Sequence, residues 1–423
     1  MRDLGKSRVR RRRVFYIPGY DPYPPRRYRE LYRTEGAKQA AISGYRIDQK
    51  ALRGDTGWKV RADIDGERTL TRVDVLVWHD LVRASMKGGI PRTYLEMFRT
   101  IWVYIASGAF RRLTWLAKGP VIAALYPIAM LLAQLALAFV GAGLLAGAAG
   151  WAVDVAGRMI PALAGGGAIL MIAQAAAFWA VFLPAFVALL RFGKSLDHRT
   201  FAHYLMRDYA YTASGNGAYP PEIEARLHEF RHRIEAALRE DVDEVLIVGH
   251  SSGAQLAVSV LADIVRLQRV PERLPVLSLL TLGQVIPMLS FLPKARRLRG
   301  DLRLLSTAEN IAWVDISAPG DGCSFALTDP VAVSGVAPRE GHRWPLIISA
   351  AFSQTLSDEM KDQLRWRFFR LHFQYLCAFD RPGLYDYFKI TAGPLTLAQR
   401  FRGRRPSAQR IDVPASRFTS TVR

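Results

Sequence analysis

The sequence predicts an α/β fold: a mainly parallel sheet with helices on both faces, interrupted by a two-helix transmembrane hairpin. Three observations predict it. Apolar runs of strand length, "EVLIV" (244–248), "VLSLLTL" (276–282) and "IAWVDIS" (311–317), are spaced by helical stretches, the pattern of parallel strands covered on both faces. No charged residue occurs between Lys118 and Asp154, or between Arg158 and Arg191; each gap exceeds the roughly 20 apolar residues a helix needs to cross a bilayer. Finally, the strand 244–248 runs straight into Gly249-His250-Ser251-Ser252-Gly253 and then into the helical stretch "AQLAVSVLADI".

Taken in order, residues 1–13 read as a solvated basic arm. Residues 14–110 read as the first part of the α/β domain. In it, "VFYIPGYDP" (14–22) is a short buried strand whose β-branched and aromatic residues end in a Pro18-Gly19 turn. Arg26–Ile42 has helical composition, and Trp58–Ile64 and Val73–Trp78 are strand candidates. From about 91 to 118, aromatics mixed with Arg99, Arg111, Arg112 and Lys118 suggest amphipathic helix leading to a membrane. The hairpin insertion takes 111–199, with spans near 119–150 and 160–190. Gly143 and Gly147 give the small-xxx-small spacing of close helix packing.

Arg111, Arg112 and Lys118 flank the hairpin on one side and Arg191, Lys194 and Arg199 on the other, whereas the connector offers only Asp154 and Arg158. The positive-inside rule therefore expects both termini, and the whole α/β domain, in the cytoplasm. With no secretory signal visible at the N-terminus, insertion is expected through the internal spans. Residues 200–400 hold the second part of the domain, beginning with a helix opened by Pro220, Pro221 and Glu222. Pro275, Pro287, Pro293 and Gly283 make Leu274–Pro293 a buried strand plus loop rather than a third span. Residues 401–423 read as a basic, disordered tail.

The chain of 423 residues carries a formal net charge of +21, with arginines crowding both ends. Such clusters attract nucleic acid or anionic lipid. No nucleic-acid reading module is recognisable, and two spans make an anionic membrane surface the expected partner. Cys323 and Cys377, two cysteines without metal-ligand spacing, give no disulfide framework, and neither metal nor organic cofactor is expected. Oligomeric state leaves no trace in the sequence.

The chemistry centres on the G-x-S-x-G pentapeptide. Between a strand and a helix it forces a sharp turn. Gly249 and Gly253 let the two arms pass closely, Ser251 is exposed as a nucleophile, and the helix N-terminus supplies partial positive charge for an oxyanion. His250 is expected to pack or hydrogen-bond within the turn. His79 and Asp80, closing a strand, are expected at the crevice edge, where they would orient substrate.

These residues resemble the α/β-hydrolase superfamily, in particular its lipase- and esterase-like serine hydrolases with a GHSxG nucleophile elbow. The likeness covers 14–80 and 200–390 loosely and is specific around 244–264. It implies an oxyanion hole made by the backbone N–H groups of Ser252 and Tyr20. It also implies the chain order nucleophile, acid, histidine. Asp321, in "APGDG" after the strand 311–317, takes the acid's place ahead of Asp315 and Asp329. His372, in "RLHFQYL", takes the histidine's, with His342 in "GHRWP" as the alternative. The expected function is that of a membrane-anchored serine hydrolase cleaving an ester or thioester, of a lipid for instance, through an acyl-enzyme. The alternatives are an acyltransferase or thioesterase using the same residues, and a non-catalytic membrane scaffold with a relic hydrolase fold.

Overall fold

The computed structural model describes residues 8–52, 56–161, 167–272 and 275–422. Residues 1–7 of the expected arm and residue 423 of the expected tail lie outside the described residues. The chain forms two compact units. One gathers Met1–Ser85, Trp102–Ala123 and Thr212–Arg423, the other Met86–Ile101 and Ala124–Tyr211.

The first unit is α/β. Its strands are β1 (Arg11–Ile17), β2 (Arg46–Ala51), β3 (Trp58–Ile64), β4 (Glu67–Val75), β5 (Glu244–His250), β6 (Val276–Leu282), β7 (Ile311–Ser317) and β8 (Leu346–Ser349). Among the described residues they make one eight-stranded sheet in the order β2-β3-β4-β1-β5-β6-β7-β8. Strands β4, β1 and β5 to β8 run parallel, while β3 opposes β4 and β2 opposes β3.

Strands β5 and β7 are buried along their whole length, which is why they read as unbroken apolar runs rather than as alternation. The helices of the chain's first two-thirds are α1 (Arg26–Ser43), α2 (His79–Met86), α3 (Ile90–Ala106), α4 (Ala109–Leu116), α5 (Lys118–Arg158), α6 (Ala168–Ser195), α7 (Asp197–Thr200), α8 (Ala202–Ala213), α9 (Pro221–Ala237) and α10 (Gly253–Arg266). One face of the sheet is covered by α10, which packs on β5 and β6 and in turn against α9 and the helix Arg296–Thr307. On the other face an aromatic core, with Tyr16, Tyr28, Tyr32, Trp58, Tyr375, Phe379 and Phe388, fills the space under α1 and the C-terminal helices.

Strand order places the site. From β1 the chain leaves through α1 toward the β2–β4 side; from β5 it leaves through α10 toward β6. Neighbouring strands whose exits diverge leave a crevice at their carboxyl ends, the usual ligand position in open α/β sheets. The loops after Ile17 and after His250 meet there.

The second unit is helical. It packs α5 against α6, with Ala142 and Ala146 meeting Phe182, and Phe178, Phe182 and Phe186 stacked along α6 at centroid spacings of 5.7 and 5.8 Å. Both helices are apolar and long enough to cross a membrane, and most of their surface is exposed. The first continues beyond the expected span: Asp154 and Arg158 belong to α5 itself, where Asp154 accepts from Arg158 and from Gln174 of α6.

Two expectations about the chain need correction. Arg11 to Arg13 are not part of a solvated arm; they open β1. Arg12 is fully buried against Glu244 at 2.6 Å, its other donors taken by the carbonyls of Gly393 and Leu395, and Arg13 pairs with Asp74 and Glu240. A buried charge is tolerable only with this degree of pairing and hydrogen bonding. The basic stretch after residue 400 is not disordered either. Ile411 bridges to Thr328, Ala415 is buried, and the Ser420 carbonyl accepts from the buried Arg299. The region around His372 forms the short helices Asp358–Leu364 and Phe368–His372.

Candidate active site

Ser251 occupies the turn between β5 and α10 with φ +56°, the left-handed region that costs a non-glycine residue roughly 1–3 kcal/mol. Backbone hydrogen bonds hold it there: its N–H donates to the Leu282 carbonyl at 3.0 Å, and its carbonyl accepts from Ala254 N–H at 3.1 Å. The two glycines of the pentapeptide are required by space. A Cβ on Gly249 would stand 2.7 Å from Ala254 Cα, and one on Gly253 would stand 2.3 Å from the Ile17 carbonyl oxygen. The serine is therefore pushed out of the crowded turn and is partly exposed, while His250 and Ser252 beside it are buried.

The loop after β1 closes on this turn. A Cβ on Gly19 would come within 2.9 Å of Ser251 Cβ and 3.4 Å of its Oγ, so only glycine lets the loop lie against the serine. Trp78 Nε1–H fixes the loop through the Pro18 carbonyl at 2.9 Å. Tyr20 N–H, expected as an oxyanion donor, points at the pentapeptide but donates at 2.9 Å to Ser252 Oγ. For that amide to serve an oxyanion, the Ser252 side chain has to rotate away or share the donor. The other expected donor, Ser252 N–H, lies at the N-terminus of α10, whose dipole favours negative charge.

Asp321 and His372 come together. Asp321 Oδ2 lies 2.8 Å from His372 Nδ1 and accepts from Tyr375 OH at 3.0 Å, and its Oδ1 accepts from Cys323 N–H at 3.0 Å. Burial alone would raise the pKa of this carboxyl. The charge and hydrogen bond of His372, with the other donors, outweigh burial and hold it below the usual value. Because the carboxylate can only accept, Nδ1 carries the proton and Nε2 is the free basic nitrogen. The ring edge sits on Gly283, where a Cβ would be 3.2 Å from His372 Cε1 and 2.6 Å from Tyr375 Cε2. Gly283 directly follows Leu282, the residue bonded to Ser251 N–H, so one strand end carries both the serine's backbone and the histidine's ring. Among the described residues Ser251 Oγ makes no hydrogen bond.

His250 has a defined task. Its Nε2 faces the His372 carbonyl oxygen at 3.0 Å, so it donates, and it fixes the backbone of the histidine. Burial, reinforced by the charge of His372, lowers its pKa to about 3, keeping it neutral.

The other expected residues fall elsewhere. His342 lies 3.5 Å from Asp329, ahead of β8 at the amino ends of the parallel strands, the opposite end from Ser251. Asp315 is enclosed within β7, bound by Thr281 OH. Asp80 is taken by Arg226 in a two-point ion pair that lowers its pKa to about 2. Among the described residues no cluster of three His, Cys, Asp or Glu side chains is disposed to hold a metal ion. Sequence reasoning passed over Tyr375 and Gly283. A tyrosine three residues after the histidine was the available signal for the first; for the second there was none beyond a glycine after a strand.

Compared with models of known families, with curated proteins and with solved structures, the chain finds no match in any of the three.

Proposed function

We propose that the protein is a membrane-anchored serine hydrolase of the α/β-hydrolase type that cleaves an ester or thioester through an acyl-enzyme. One observation carries the reading: a serine in left-handed backbone conformation at a strand-to-helix turn, beside a strand end overlain by a buried Asp–His pair.

In the reaction, His372 Nε2 removes the Ser251 proton as Oγ attacks the acyl carbon. Asp321 holds the imidazole in the required tautomer and stabilises the imidazolium that forms. The amides at the start of α10, with Tyr20 N–H once Ser252 Oγ has turned, receive the oxyanion. His372 then passes its proton to the departing alcohol or thiol. Water, activated by the same nitrogen, releases the acid and restores Ser251.

The anchor rests on α5 and α6, long, apolar and mostly exposed, with basic flanks that favour cytoplasmic termini. Exposed Leu95, Phe98, Trp102 and Ile105 recur along one stripe of α3, a composition suited to the membrane interface. A membrane-derived acyl substrate follows from that anchorage. Exposed Arg402, Arg404, Arg405 and Arg410 supply the attraction to anionic lipid, which Arg12 and Arg13, buried in the sheet, do not.

A fluorophosphonate probe followed by mass spectrometry tests the reading. The adduct is expected on Ser251, and Ser251→Ala should abolish both labelling and hydrolysis. His372→Ala should cost nearly as much, since such residues act as a unit, and Asp321→Asn should lower kcat by about 10⁴-fold. His342→Ala should be mild. Products formed with and without an alcohol acceptor separate hydrolase from acyltransferase. No labelling of the intact protein would leave the scaffold reading.

A further inference from the structure

We infer that the site takes an anionic ester, and that Arg27 receives its negative charge; the inference rests on the serine-hydrolase reading above. Arg27 opens α1 and lies against residues flanking both halves of the site. Its guanidinium stands 4.9 Å from the ring of Tyr23 and 5.0 Å from that of Phe373, the residue after His372. The Phe373 ring is in turn 5.1 Å from that of His250, the residue before Ser251. Asp21, the residue after Tyr20, takes Arg27 Nη1 at 3.1 Å.

Two aromatic faces and one carboxylate hold the planar group without covering it. The side chain keeps 46% of its surface exposed, and among the described residues Nε and Nη2 make no hydrogen bond. Asp21, which also accepts from Tyr28 OH at 2.5 Å and from Tyr23 N–H at 2.8 Å, offsets part of the charge but meets the guanidinium only at Nη1, leaving the edge formed by Nε and Nη2 open. What remains is an oriented pair of donors, held against the ring of Phe373 that packs on His250, the geometry that matches a carboxylate or phosphate. Nearby Arg370 differs: it lies 3.7 Å from Glu35, which also binds Lys38.

The test compares substrates of matched reactivity. One arm sets the 4-nitrophenyl half-ester of glutaric acid against 4-nitrophenyl pentanoate. The other sets phosphatidylglycerol vesicles against phosphatidylcholine vesicles of the same acyl chains. The protein is expected to prefer the charged member of at least one pair by 10-fold or more in kcat/KM; which pair responds tells a carboxylate-bearing substrate from a phospholipid head group. Arg27→Gln should remove that preference chiefly through KM, with a much smaller loss on the uncharged member, and Arg27→Lys should restore part of it. No preference in either pair, or equal losses on charged and uncharged members, would overturn the inference. If none of the four substrates yields Ser251-dependent turnover, while a neutral fluorophosphonate still labels Ser251 and 10 mM-scale glutarate or glycerol phosphate fails to protect it, the anionic class is wrong and the nucleophile stands. Absence of labelling removes the reading beneath it.

Discussion

Asp315 and Asp321 stand six residues apart on one strand and its following loop, and their surroundings drive their acidities in opposite directions. Asp321 is offered three hydrogen bonds, one of them from an imidazole, and its pKa is held down despite its burial. Asp315 is offered one hydroxyl, Thr281 OH at 2.6 Å, and burial raises its pKa to about 8. The folded state therefore keeps a proton on Asp315 that the unfolded chain gives up near pH 4. Stability from this group is intact below that value, declines as pH rises, and is at its lowest above about 8. Asp315→Asn, which cannot ionise, should raise Tm relative to the parent at pH 9 and leave it nearly equal at pH 4.5. A gap of a few degrees is expected, at up to roughly 2 °C per kcal/mol for a unit larger than 250 residues. Thermal melts at the two pH values decide it; an equal shift at both would refute the assignment.

At the scale of elements, β1 depends on charges as much as on apolar packing. Arg12 and Glu244 form a dry pair in which every partner is accounted for, with Ser278 OH and Leu397 N–H on the second glutamate oxygen. Arg12→Leu should destabilise the protein by about 3–5 kcal/mol by stranding a buried carboxylate, and adding Glu244→Gln should recover much of that loss. Denaturant titration of the two variants measures the difference. This pair also explains what the sequence concealed. Strands 276–282 and 311–317 were legible residue for residue because both faces are covered and apolar side chains dominate them, with polar exceptions such as Ser278, Thr281 and Asp315 hydrogen-bonded inside the sheet. A run of arginines gave no such signal, since its carboxylates lie 61 residues away for Asp74 and more than two hundred for Glu240 and Glu244. Polar β2 and four-residue β8 were missed for lack of any apolar period. At the candidate site, Ser251 was proposed from a local motif and Asp321 and His372 from the order the resemblance implies, and the structure brings the last two together. Tyr375 and Arg27 make their contacts across the fold, which no spacing rule expresses.

For the whole molecule, α5 has 41 residues, roughly 60 Å at 1.5 Å per residue, about twice the hydrocarbon thickness of a bilayer. Cysteines placed at position 116 and at position 196 should react with an impermeant thiol reagent from the same side of sealed vesicles, and one at position 160 from the other. Labelling of 116 and 160 from one side would refute the hairpin orientation. The Arg12 contacts carry a further consequence, concerning the order in which the chain is made. The first strand emerges early, but its guanidinium is satisfied only by Glu244 and by the carbonyls of Gly393 and Leu395. The two apolar helices emerge between these partners. On the reading proposed here, translation delivers the hairpin to the membrane while β1 is still waiting, and the sheet closes only when synthesis is nearly over. A ribosome stalled shortly after the hairpin would hold an anchored protein with its catalytic domain still unfolded.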